Sequence, residues 1–390
     1  MSSWFNSKDI KIKKPLFVLD DLHGYVLPHA GTSYSGHILS HTLRFKPKKF
    51  FNTIVILYYP ARPKENIVDT NPHTYHEEYV VKQTILYVIK EYWKINRTII
   101  VNSFNVRDNP LSISNINLNK TLIILSADFS HFLEMQTAIS LENCAAKRIL
   151  FNDLSIKTCS EVIDNKKTFQ ILYQLLPNIV FQWIGRTRSV TKNRVGYLSF
   201  LIRNHYKPRN KKIDGMFVSV YDVNMNNREC LGQWFNTQMK WSENSEQRFI
   251  KDTIQKAKTT SRLTSGTHLD VPVSNYTITY LTKTKRKEFI RGYHGIKANN
   301  AFYLPQVFLE NTYENGKWIE SGDKVWNFKS KSKFNLRSTF SKLREKSRTG
   351  HNSTQKNKYD LYHTRVSYDL YHTRVSHHSI PHSIPETTSF

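Results

Sequence analysis

Acidic residues are scarce in this chain. Against 57 lysines and arginines stand 31 aspartates and glutamates in 390 residues, a formal net charge of +26 with a pI of about 9.8. Such a balance alone points to polyanionic partners. Its distribution weakens that reading, because ten basic residues between Asn327 and Lys358 face the single acid Glu345. That block is polar and serine-rich, so 330–390 is expected to be a disordered basic tail. Cysteine is scarcer still. Cys144, Cys159 and Cys230 form no C-x-x-C pair, which argues against a zinc ribbon and a disulfide framework and favours a reducing compartment. Long apolar runs are absent as well: none approaches the ~18 residues a membrane span needs. "MSSWFNSKDIKIKK" has no apolar leader core. The expectation is a soluble, intracellular, cytoplasmic protein.

Core material is sufficient, with 39% hydrophobic and 13% aromatic residues. From Lys14 to Lys166, short β-branched runs ("PLFVLD", "GYVLPH", "NTIVILYY", "RTIIVNSF", "KTLIILSAD") have the look of buried parallel strands. Helical periodicity lies between them. "HEEYVVKQTILYVIKEYW" aligns Val81, Ile85, Val88 and Tyr92, and "FLEMQTAISLENCAAKRILF" aligns Ile139, Cys144, Ala145 and Ile149. The alternation predicts an α/β layered sheet. Beyond Arg194 it lapses: "VGYLSFLIRNHY" reads as helix, "GMFVSVYDV" and "NYTITYLTK" as strands, and "SEQRFIKDTIQKAKTT" as amphipathic helix, suggesting a separate α+β domain with a linker near 185–194. In the tail, "YDLYHTRVS" occurs twice in tandem, too few copies to build a solenoid.

In open α/β sheets, binding residues collect beyond the carboxyl ends of the strands. His29 follows one strand in "VLPHAGTSYSGH", and Asp128 and His131 follow another in "SADFSH". Two histidines and a carboxylate suit iron or zinc, and also suit acid–base work near neutral pH. The plainer alternative is a turn at Pro28 to Gly31 with Asp128 capping a helix that opens near Ser130.

"LPHAGTSYSG" and "LSADFSHFL" resemble the two signature segments of the Memo family, in the family's order. The resemblance implies a domain at 14–190, after an N-terminal extension at 1–13, with a fold similar to class III extradiol dioxygenases. It implies a copper- or iron-linked site in which His29 is a ligand, with Asp128 and His131 beside it. Two of the family's ligand positions read Ala61 and Ile184 here, and neither side chain can coordinate a cation. His73 and His76 are the candidate replacements. "DGMFVSVYDVNMNNRECLGQW", "AKTTSRLTSG" and "YHGIKANNAFYLPQVFLE" resemble the AMMECR family, implying a smaller α+β domain at 191–329 with Arg228, Cys230 and Arg262 by a cleft. An arginine there suits bidentate anion binding, and it would lower the pKa of a neighbouring thiol.

These residues predict a two-domain binding or scaffold protein that is non-catalytic, with no cofactor, or with iron, copper or zinc if any, and with an unknown protein or small molecule as partner. One alternative is a metal-dependent redox or modifying enzyme at the strand ends. Another is a nucleic-acid-associated protein using "KPRNKK" (207–212), "KTKRK" (283–287) and the tail, although no aromatic residues interleave with these runs as a stacking platform requires.

Overall fold

The computed structural model describes residues 4–60, 75–107, 117, 120–150, 154, 157–176, 179–189, 194–204, 215–221, 231–236, 243–259, 275–283, 290–298, 301–310, 313–314, 317–318 and 366–377. The chain divides into two units. The first comprises 1–206 and 283–370, and the second 207–282 and 371–390.

The first unit is α/β. Its elements begin with β1 (Phe17–Leu19), β2 (Leu22–Leu27), α1 (Thr32–Thr42), β3 (Phe45–Pro47), β4 (Thr53–Tyr58), α2 (His76–Glu91) and β5 (Ile100–Asn105). They continue with β6 (Thr121–Ser126), α3 (Met135–Leu150), α4 (Lys157–Ser160), α5 (Lys166–Leu175), β7 (Ile179–Arg188) and β8 (Gly196–Asn204). One six-stranded sheet runs β5-β4-β6-β2-β8-β7. The first four strands are parallel, and β8 joins β2 and β7 antiparallel. The expected alternation of strand and helix therefore builds this sheet.

Strand side chains alternate between two cores. Leu27, Ile54, Ile56 and Ile124 pack on the face that carries Val81, Ile85 and Val88 of α2. Val26, Val55, Ile123 and Leu125 pack on the face that carries Ala145 and Ile149 of α3. Helices thus cover both faces, which explains why the central strands are mostly apolar: β2 and β6 are buried along their whole lengths. At Gly24 the β2 backbone passes so close to β6 that a Cβ would sit on the Ile123 carbonyl oxygen. Gly24→Ala is expected to cost roughly 3 kcal/mol by forcing these strands apart, and a urea unfolding midpoint within error of wild type would contradict it.

The structure corrects three expectations. Within "VGYLSFLIRNHY", Gly196–Asn204 is strand β8, not helix; lying between β2 and β7 and covered on both faces, it has no two-residue alternation to announce it. The boundary expected at 190/191 falls inside the β7–β8 hairpin, and the α/β unit takes in residues that follow the second unit. These are a hairpin of β12 (His294–Ala298) and β13 (Ala301–Tyr303) and the helix α7 (Pro305–Glu310). Ile290 and Tyr293 enter one core and Leu309 the other. The turn is fixed at Gly292, whose φ of +73° and proximity to the Ile184 carbonyl admit no side chain. Finally, Cys144 and Cys159 are disulfide-bonded, with Cα atoms 5.7 Å apart, because α4 lies beside α3.

The second unit contains β9 (Gly215–Tyr221), β10 (Leu231–Asn236), α6 (Glu243–Thr259) and β11 (Asn275–Lys283). Its strands are antiparallel in the order β10-β9-β11. Of the tail expected to be disordered, 366–377 forms a strand, Val366–His377, whose first residues pair with β12. Residues 330–365 and 378–390 lie outside the described residues, so the first repeat copy is almost entirely undescribed. No helix among the described residues is long and apolar enough to cross a membrane.

Candidate metal centre

His29 lies just past the end of β2, in the turn before α1, and Asp128 lies just past β6. The two strands are parallel neighbours, with Leu27 opposite Ser126, so the sheet register delivers both residues to one place. Asp128 does not cap α3, which opens at Met135; its Oδ1 accepts the His29 backbone N–H at 3.0 Å. His29 and Asp128 are both buried.

A third residue completes the group. Asp164, in the turn between α4 and α5, accepts the Asp128 backbone N–H with both carboxylate oxygens, at 3.0 and 3.1 Å. Its neighbour Asn165 donates to the Ser126 carbonyl at 2.7 Å, fixing the turn against the end of β6. His29 Nε2 then stands 3.2 Å from Asp164 Oδ2 and 3.7 Å from Asp128 Oδ2. Among the described residues, His29, Asp128 and Asp164 place one ligand atom each within 4.8 Å of one another. A quarter of the Asp164 side chain is exposed, so the group opens to solvent on that side. "SEVIDNKK" carried no periodicity or spacing that would mark Asp164.

The tautomer of His29 follows from its other nitrogen. Ser126 Oγ donates its only proton to the Glu77 carbonyl, so toward His29 Nδ1, 3.0 Å away, it acts as an acceptor. Nδ1 therefore carries a hydrogen and Nε2 faces the carboxylates. Burial pulls the His29 pKa down, but the Asp128 and Asp164 carboxylates outweigh it and raise it to about 10. Burial pushes Asp128 up, offset in part by His29. With His29 protonated, the three side chains carry one net negative charge. A divalent cation in place of the Nε2 proton neutralises them.

Among the described residues, the other expected site residues lie outside this three-residue group. His131 is half-buried and packs beside Phe132, which is 70% exposed. His76, the first residue of α2, stands edge-on to His29 with ring centroids 5.2 Å apart. Ile184 is fully buried in the core shared with α1 and α2, and its carbonyl accepts from His41 Nε2 at 3.2 Å, so it serves packing. Ala61, His73, Arg228, Cys230 and Arg262 lie outside the described residues. No protein-family model matches the chain, and no curated protein does.

The segment after Asp128 is anchored by a buried ionic group. Ser130 Oγ donates to Glu142 of α3, whose other oxygen accepts from Arg186 Nη2 at 2.7 Å. Arg188 Nη1 lies 3.1 Å from Ser130 Oγ and 3.4 Å from Glu142 Oε1. β7 and α3 thereby hold "SADFSH" in place.

Proposed function

We propose that the chain is a divalent-cation-dependent protein whose site is His29, Asp128 and Asp164, built on a Memo-like α/β unit and joined to an AMMECR-like unit. The observation that carries this is the convergence of three ligand atoms from three separate segments within 4.8 Å. One imidazole and two carboxylates suit zinc or iron. An ion held there supplies Lewis acidity toward an oxygen-bearing substrate. The protein's own part is orientation: Ser126 fixes the His29 tautomer, the His29 amide aims Asp128, and the Asp128 amide aims Asp164.

Calorimetric titration of the chelator-stripped full chain with zinc and with ferrous iron under anaerobic conditions tests this. One ion per chain is expected, with affinity reduced at least about tenfold in Asp164→Asn. Absence of binding by either ion would refute the reading. The second reading is a non-catalytic scaffold, favoured by the fact that His29 is already ion-paired to both carboxylates. It requires that neither ion binds and that His29 contributes only stability.

A further inference from the structure

We infer that His76 is a fourth protein ligand of this centre and that Glu77 is the carboxylate that orients it. The inference rests on the cation site proposed above. It makes the centre a two-histidine, two-carboxylate set, suited to a zinc- or iron-class ion in preference to magnesium or calcium, which take oxygen ligands.

Three observations converge on His76. The first is ring spacing. With bonds of about 2.1 Å, two imidazoles on one ion at angles of 90–109° have ring centres roughly 4.6–5.3 Å apart. The rings of His29 and His76 are 5.2 Å apart, at an interplanar angle of 81°. The second is the tautomer. His76 Nδ1 pairs with Glu77 Oε2 at 3.1 Å, and the Glu77 side chain is only 3% exposed. With a buried carboxylate that close, a proton is favoured on Nδ1, which leaves the Nε2 lone pair for an ion.

The third is that one residue serves both rings. The Glu77 carbonyl accepts the Ser126 hydroxyl that faces His29 Nδ1, while the Glu77 carboxylate lies 3.1 Å from His76 Nδ1. The first turn of α2 thus favours Nε2 as the available nitrogen in both histidines. Trp4 packs edge-on against His76 at 5.2 Å, so the ring sits between Trp4 and His29. His76 is outside the three-residue group, so its side-chain torsions change when it ligates, with the two rings remaining neighbours.

The test uses the full chain as wild type, His76→Ala, His76→Gln, Glu77→Gln and His29→Ala. Zinc affinity is measured by competition with a chelating dye, and cupric ion serves as a pulsed-EPR probe that counts coordinated imidazoles. Wild type is expected to show two imidazoles, and both His76 variants one. Zinc affinity falls at least about 100-fold in the His76 variants and about tenfold in Glu77→Gln. Folding of each variant is checked by its thermal unfolding transition, and His76→Gln keeps a polar side chain at the helix start should alanine disturb it. Wild-type affinity and two imidazoles in a folded His76 variant would overturn the inference while leaving the three-residue site standing. A wild-type chain that binds no ion would remove both.

Discussion

Glu142→Ala is expected to destabilise the α/β unit by about 3–5 kcal/mol, the cost of stranding buried charge. Glu142, Arg186 and Arg188 have side chains at most 1% exposed, and Glu142 faces both guanidinium groups. Removing the carboxylate takes from both guanidinium groups the counter-charge they meet in a low-dielectric interior. Ser130 loses its acceptor at the same time. Asn143, which accepts from Arg186 beside it, supplies only a neutral bond, so Asn143→Ala is the mild comparison at about 1 kcal/mol. Urea unfolding of the two variants decides the matter: a Glu142→Ala chain no less stable than Asn143→Ala would mean that water reaches these arginines. Because Ser130 is two residues from Asp128, cation affinity in Glu142→Ala should fall together with stability.

That coupling explains why part of the site was legible in sequence and part was not. His29 and Asp128 follow apolar β-branched runs, and the rule that parallel strands deliver their carboxyl ends to one side finds both. Asp164 follows no strand. Its position comes from the Asn165 contact to Ser126 and from the turn between α4 and α5, which is tied to α3 through Cys144 and Cys159. None of these contacts leaves a local pattern. The same physics hid β8. A strand flanked by two strands and covered on both faces is apolar on both sides, and "YLSFLI", without a two-residue alternation, fits a buried helix equally well. The domain boundary failed for a different reason: composition changes along the chain, whereas Ile290, Tyr293 and Leu309 return to the first unit's cores after an intervening unit. His131 shares its motif with Asp128 but lies half-buried outside the three-residue group, next to Phe132, whose φ is +59°.

The second large effect is a pH dependence of the ion-free chain. In chelator, the stability advantage of wild type over His29→Gln is expected to be fully present below about pH 6.5, the unfolded histidine value, and to vanish as pH rises through the folded value of about 10. Between these limits the folded chain keeps a proton that the unfolded chain has released, so stability falls with pH by up to about 1.4 kcal/mol per unit. Buried Tyr25 and Tyr197 also have raised pKa values, and they add their own loss once unfolded tyrosine ionises near pH 10. The clean window is therefore about pH 7 to 9.5, and subtracting the variant removes what the two chains share. Chemical denaturation of both proteins across that window is the measurement. A proton and a cation compete for the same Nε2 lone pair, so cation affinity should rise over this range by up to about tenfold per pH unit. Stability and affinity must then move in opposite directions with pH. A wild-type minus variant difference that stays flat from pH 7 to 9.5 would mean that His29 is neutral in the folded chain, and the opposing trend in affinity would disappear with it.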